Sequence, residues 1–260
     1  SEELDYAWKK LLINQFHDII PGSSINLVYK NTHKEYNEIH DICDKLIMKS
    51  ASNLFKRKKA SFVLVNSLSY NFQGIVIIPN DYKGFTITSN HGDTYYTQVL
   101  NGQVVANVKL KPFSFTTFIK GEKIKEKLES DSGLILENHM IKYEFKNNGT
   151  LKVAYDKEQK LNLLKNSGNV FSLYEDRPLN WDAWDIDFYY KESLLETATV
   201  KNIDNVVNGN VCSALNISYV IGNSKINQKI TLANDSKRLD FNTSVDWREK
   251  HKMLRVHFPT

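Results

Sequence analysis

Leu4, Ala7, Trp8, Leu11, Leu12 and Gln15 recur at spacings of three and four. That stripe predicts an amphipathic helix over residues 3 to about 19, with one face buried. Pro21-Gly22 stops it, and Ser23 or Ser24 can cap a second helix. The apolar side of this second helix carries Ile25, Val28, Tyr29, Tyr36, Ile39, Ile42, Cys43, Leu46 and Ile47, and runs to about Phe55. The two helices form a hairpin whose tight corner is His17 to Ser24.

After Lys59 the period falls from near 3.6 to near 2. Short β-rich runs at 62–66, 74–79, 95–100, 103–106 and 115–119 are separated by Asn, Gly, Asp and Pro, which predicts a small β-sandwich. Asn101-Gly102 marks a hairpin, because a type I′ turn needs positive φ at both central positions. A charged stretch, Gly121 to Asp131, leads to a third region from Leu134. There Ile141 to Phe145 and Leu151 to Tyr155 flank Asn147-Asn148-Gly149 as an alternating hairpin, and strands follow at 197–203, 213–221, 225–232 and 239–245. The expected fold class is α+β, mostly β. A helical domain at 1–57, part of a three-helix bundle, precedes a small sandwich at 60–120 and the N-terminal part of a larger sandwich at 132–260. The last residues, His257 to Thr260, fall inside what reads as continuing sheet, so a fragment of a longer polypeptide is expected.

Composition narrows the classes. Of 260 residues, 41% are hydrophobic and 25% charged, which excludes a disordered or fibrous chain. No apolar run approaches the ~20 residues of a spanning helix, and the N-terminus lacks the features of a secretion signal. The formal charge of +4 is spread along the chain. Its tightest basic cluster, Lys56-Arg57-Lys58-Lys59, has no stacking aromatics beside it and reads as a solvated linker, not a nucleic-acid patch. Cys43 and Cys212 lie far apart, so a disulfide framework is not expected and a reducing, cytoplasmic location is. Asn-x-Ser/Thr triplets at Asn148, Asn216, Asn234 and Asn242 occur at the rate chance supplies in an Asn-rich chain.

Two segments are dense in chemistry-bearing residues. Asn14 to Ser24 holds His17 next to Asp18: a neutral imidazole can ligate zinc, and a neighbouring carboxylate can take a hydroxyl-bearing ligand. One His-Asp pair is not a metal site by itself, and a helix-terminal His beside a cap-competent Asp is the plainer reading. Tyr174 to Tyr190 combines Trp181 and Trp184 with Asp182, Asp185 and Asp187. Flat aromatic faces cover the apolar side of a pyranose while carboxylates take its hydroxyls. The alternative is an aromatic-rich strand and loop of the sandwich core, in which the two tryptophans pack and the aspartates cap turns. Spacing alone does not separate a glycosidase acid/base pair from a hydroxyl-binding cluster. Gly-x-Ser-x-Gly, phosphate-cradling and dinucleotide motifs are absent from the sequence.

The run Trp8, Asn14-Gln15-Phe16-His17-Asp18-Ile19-Ile20-Pro21-Gly22-Ser23-Ser24-Ile25, with Val28-Tyr29 and Glu35-Tyr36 behind it, resembles the middle-domain motif of the α-mannosidases of glycoside hydrolase family 38. Asp176-Arg177-Pro178 with Trp181-Asp182-Ala183-Trp184-Asp185-Ile186-Asp187 is similar to the signature of that family's C-terminal β region. Val65 to Ser69, Leu136-Glu137-Asn138, Asn148-Gly149-Thr150, Val245-Asp246-Trp247 and His251-Lys252 follow in family order, so the resemblance covers nearly the whole chain. It implies a retaining, metal-dependent glycosidase whose catalytic barrel holds the nucleophile and most ligands of one divalent metal, usually zinc. His17 matches the metal-ligand histidine of the middle domain, and Asp18 the aspartate that reaches sugar hydroxyls. Trp181, Asp182, Trp184 and Asp185 carry over only as lining of the substrate cleft. The barrel's His-x-Asp motif and nucleophile have no counterpart here, so no catalytic residue is assigned and the chain alone should be inactive. The wording of the motifs is closest to the bacterial and cytosolic branch.

The implied partners are an α-mannoside-containing oligosaccharide and the barrel domain of the same polypeptide, without nucleic acid or membrane. The face that would meet the barrel and the unfinished sheet predict association of the isolated chain, a homo-oligomer being one form of it. The competing readings are a stand-alone carbohydrate-binding module and a purely structural β-sandwich scaffold.

Overall fold

The computed structural model describes residues 1–55, 61–125, 129–131, 133–182 and 184–260. The basic cluster at 56–59 and Ala183 lie outside the described residues. The chain is mostly strand with two N-terminal helices, as its periodicity predicts. It forms two compact units: Ser1–Lys58 together with Asp176–Glu192, and Lys59–Glu175 together with Ser193–Thr260. No helix among the described residues is long and apolar enough to cross a membrane.

In the first unit, α1 (Glu2–Asn14) and α2 (Asn26–Leu54) pair as a hairpin. Ser1 caps α1 by accepting the Leu4 amide, and acidic Glu2, Glu3 and Asp5 fill its first turn, where the helix dipole favours negative charge. Polar ties join the helices along their length: Lys10 to Glu35 at 2.5 Å, Lys45 to Glu3 at 2.5 Å and Tyr6 to Glu38 at 3.1 Å. Trp8, Leu12, Ile13, Leu27, Ile47 and Met48 stay exposed.

The second unit holds both β regions. The small sandwich comprises β1 (Ser61–Asn66), β2 (Phe72–Ile78), β3 (Phe85–Ser89), β4 (Thr94–Tyr95), β5 (Thr97–Leu100), β6 (Gln103–Leu110) and β7 (Ser114–Lys123). Sheets ordered β1-β7-β3-β4 and β2-β6-β5 enclose Ile78, Ile87, Val104, Ala106, Val108 and Phe118. The single strand predicted at 95–100 is two: β4 pairs with β3 and β5 with β6, and the chain changes sheet at exposed Tyr96. Asn101 (φ 50°) and Gly102 (φ 78°) close the β5–β6 hairpin in the expected positive-φ geometry.

The larger region comprises β8 (Glu129–Asp131), β9 (Ile135–Glu137), β10 (Ile141–Phe145), β11 (Leu151–Asp156), β12 (Leu161–Asn162), β13 (Val170–Glu175), β14 (Leu194–Thr197), β15 (Thr199–Ile203), β16 (Val206–Asn208), β17 (Cys212–Ile221), β18 (Ser224–Ala233), β19 (Leu239–Asp246) and β20 (Lys252–His257). Three sheets, β12-β11-β10-β9, β14-β13-β20 and β19-β18-β17-β16-β8 with β15 on β17, share one core. Leu136, Leu173, Leu215, Ile226 and Ile230 are among its fully buried side chains. The strand predicted at 197–203 is divided between β14 and β15, which pair in different sheets. The small sandwich is locked onto the larger one by buried Gln98, whose Oε1 accepts the Val211 and Cys212 amides at 2.9 and 3.0 Å while its Nε2 donates to the Cys212 carbonyl.

Candidate functional site

The first unit carries both segments singled out in the sequence. Helix α1 ends at Asn14, not near residue 19. Asn14 is 2% exposed, and its side-chain amide donates to the Lys10 carbonyl at 2.9 Å and to Glu35 at 2.6 Å. A side chain that takes the i−4 carbonyl competes with the helical ladder, and the chain leaves the helix there. Residues 15–22 form successive turns, with the Ile19 amide on the Phe16 carbonyl at 2.8 Å and Gly22 at φ 89°. Only a residue without Cβ adopts that φ freely. Lys10, then Asn14, hold the Glu35 carboxyl below the usual carboxylate range.

His17 and Asp18 therefore sit on a turn and not on a helix. The expected serine cap of α2 is also absent: its N-cap is Ile25, without a side-chain bond. The serines reach backwards instead, Ser24 Oγ donating to the Asp18 carbonyl at 2.6 Å and Ser23 Oγ at 3.3 Å. The His17 side chain is 68% exposed, with Nε2 3.7 Å from Asp18 Oδ2 and its ring centroid 4.2 Å from that of Phe16.

The second segment closes on itself. Asp187 Oδ2 accepts the Leu179 amide and the Tyr189 hydroxyl, both at 2.8 Å, and this bond raises the Tyr189 phenol above its ordinary value. Trp181 takes a left-handed conformation (φ 57°), and its carbonyl accepts the amides of Trp184 and Asp185 at 2.8 and 3.0 Å. Trp181 is 73% and Trp184 49% exposed. That overturns the core-packing alternative: these indoles lie on the helical unit, outside the sandwich core. Asp187 serves the loop's closure, while Trp181, Asp182 and Asp185 share one turn with Trp184.

Trp184 meets His17, ring centroids 6.1 Å apart and tilted by 54°. The His17 imidazole, with the Asp18 carboxylate beside it, thus lies next to the partly exposed Trp184 indole, from segments more than 150 residues apart. Among the described residues no group of three or more His, Cys, Asp or Glu is placed to hold a metal ion. An exposed imidazole can supply one ligand, so the donor set fits a share in a metal centre and not a complete one. Sequence reasoning missed the contributions of Asn14, Glu35 and Tyr29. Their periodicity marks helix faces and carries no sign of the bonds they make across the corner.

Residues 1–54 match the alpha mannosidase middle domain, and residues 136–260 the C-terminal domain of the family 38 glycosyl hydrolases. The chain is 27% identical to alpha-mannosidase G of Dictyostelium discoideum over 98% of its length, and 27% identical to alpha-mannosidase 2C1 of Mus musculus and to alpha-mannosidase of Saccharomyces cerevisiae over all of it. It spans about a quarter of these relatives, 28%, 25% and 22% of their lengths.

Proposed function

Because this chain belongs to the α-mannosidases of glycoside hydrolase family 38, we propose that it is the non-barrel portion of a retaining, metal-dependent enzyme that removes terminal α-mannosyl residues. The observation that carries the reading is the meeting of His17, Asp18 and Trp184 on one exposed surface. In this reading the His17 imidazole gives one ligand to a divalent ion, zinc being the metal the family resemblance implies and one that imidazole binds well. Such an ion, when bound, acts as a Lewis acid on sugar hydroxyls and favours an oxocarbenium-like transition state. Asp18 accepts a hydroxyl hydrogen bond beside it. The Trp184 face covers the C–H side of the pyranose and keeps water from it. Trp181, Asp182 and Asp185 line the approach. The nucleophile, the acid/base carboxyl and the other ligands belong to a barrel outside this chain, and the protein works in the cytoplasm.

Hydrolysis of an aryl α-mannoside by the longer polypeptide tests this, with the 260-residue chain inactive and Trp184→Ala raising KM more than it lowers kcat. Mannoside binding by the isolated chain, lost in Trp184→Ala, with no hydrolysis by the longer polypeptide, favours the carbohydrate-binding module instead. The exposed Trp181 and Trp184 are the observation behind that second reading.

A further inference from the structure

The His17 side chain is 68% and the Asp18 side chain 50% exposed, and the rings of Phe16 and Trp184 are the aromatic neighbours of the imidazole. Where the two side chains start from is set by the backbone of the turn, and that backbone is closed from Ser24 and from Tyr29 on α2. Ser24 Oγ donates to the Asp18 carbonyl at 2.6 Å. The Ser24 amide donates to the Tyr29 hydroxyl at 2.9 Å, and that hydroxyl lies 3.4 and 3.3 Å from the carbonyls of Asp18 and Ile19. Tyr29 thus accepts from one side of the corner and donates to the other, so one phenol and one serine hydroxyl hold the residues on both sides of Pro21-Gly22.

We propose that Ser24 and Tyr29 are positioning residues for the metal and mannoside site, holding the His17–Asp18 backbone in register through the Asp18 carbonyl. The proposal rests on the reading of His17 as a metal ligand. A ligand displaced by about 1 Å loses much of its effect, and removing the groups that orient a ligand costs about 10–100-fold in metal affinity or activity. The hairpin itself is tied elsewhere, by Lys10–Glu35, Tyr6–Glu38 and Lys45–Glu3. Loss of one hydroxyl at the corner should therefore leave the fold in place and misdirect the imidazole.

The test uses the longer polypeptide carrying this chain, with Ser24→Ala, Tyr29→Phe and Ser24→Thr. Zinc retention is measured against a graded chelator, kcat and KM on an aryl α-mannoside, and Tm by calorimetry. The 260-residue chain without metal gives a second readout, the NMR shifts of the His17 imidazole and Trp184 indole. Ser24→Ala and Tyr29→Phe are expected to weaken zinc retention about tenfold or more. They lower kcat more than they raise KM, leave Tm within a few degrees, and shift or broaden both ring signals. Ser24→Thr, which keeps the hydroxyl, restores wild-type behaviour. Wild-type zinc retention and ring shifts in both hydroxyl-deleted variants overturn the proposal, as does a loss in all three that tracks Tm. His17→Ala separates the two layers: if it leaves metal and turnover intact the ligand reading fails, whereas a silent Ser24→Ala beside a damaging His17→Ala overturns only the positioning role.

Discussion

Replacing Asn169 by alanine should destabilise the larger sandwich by about 3 kcal/mol, and the structure shows where that comes from. Asn169 is 1% exposed at φ 54°, just before β13. Its Nδ2 donates to the Gly149 carbonyl, the Tyr219 hydroxyl and Gln228 Oε1 at 3.1, 3.1 and 2.8 Å, and its Oδ1 accepts from Gln228 Nε2 at 3.1 Å. After truncation the Gly149 carbonyl keeps the Tyr219 hydroxyl, and Gln228 Nε2 keeps Thr243. The Gln228 Oε1 loses the Asn169 donor, and a buried acceptor left bare costs about 1–3 kcal/mol. Alanine lacks the polar side chain that eases asparagine into the left-handed region, which adds less than the ~1 kcal/mol of a glycine-to-alanine change there. A cavity of about 220 Å³ borders Asn169, so water can reach the vacated space and hold the total at about 3 kcal/mol. Urea unfolding followed by far-UV circular dichroism measures this. Gln228→Ala strips the same pair from the other side, so the double variant should lose at least about 1 kcal/mol less than the two singles together. A loss below about 1 kcal/mol in Asn169→Ala, or strict additivity in the cycle, refutes the reasoning.

Gly149→Ala should cost more than Gly102→Ala. Both glycines have positive φ, but a Cβ on Gly149 would lie 2.5 Å from the Tyr219 ring while one on Gly102 meets open space, so the second change carries only the backbone cost of about 1 kcal/mol; matched urea midpoints check the order. Asp156 is held below the usual carboxylate range by the Gln159 amide first and the Lys237 ammonium second, so its contribution is complete above about pH 4 and is lost as pH falls through the lower folded value. Asp156→Asn should lower stability at neutral pH and flatten the acid limb of the stability profile, and an acid limb like wild type's contradicts the assignment. Burial pushes the Cys212 thiol up to about 11, whereas Cys43 is half-buried, so a thiol reagent at neutral pH should label Cys43 in the folded chain and Cys212 only on unfolding; mass spectrometry of labelled peptides decides.

The hairpin and most strands were legible because burying one face of a helix or sheet imposes a period on the sequence. Asn101-Gly102 was legible for a different reason, since its backbone demands positive φ at two adjacent positions. The end of α1 was not, because the Asn14 side chain takes the Lys10 carbonyl four residues back while Glu35 on the second helix holds it, and the apolar pattern carries no sign of either bond. Strand changes at Tyr96 and Ala198 were invisible too: the period-2 pattern continues while the chain crosses from one sheet to another. At the site, His17, Asp18 and the tryptophan-rich segment stood out by composition and by family likeness. Whether Trp181 and Trp184 lie in a core or in solvent was not readable, since an indole suits either. The meeting of Trp184 with His17 is a tertiary fact, as is the serine clasp on Asp18, where the same hydroxyl could equally have capped α2.

The central claim is that His17 joins this chain to a metal-dependent mannosidase centre. It is tested most directly by aryl α-mannoside hydrolysis and bound-metal content of the longest polypeptide containing this segment, wild type against His17→Ala. Loss of metal and turnover together, with the fold retained, is the expected result. Full metal occupancy and undiminished hydrolysis in His17→Ala contradict the account and leave the family membership without this site.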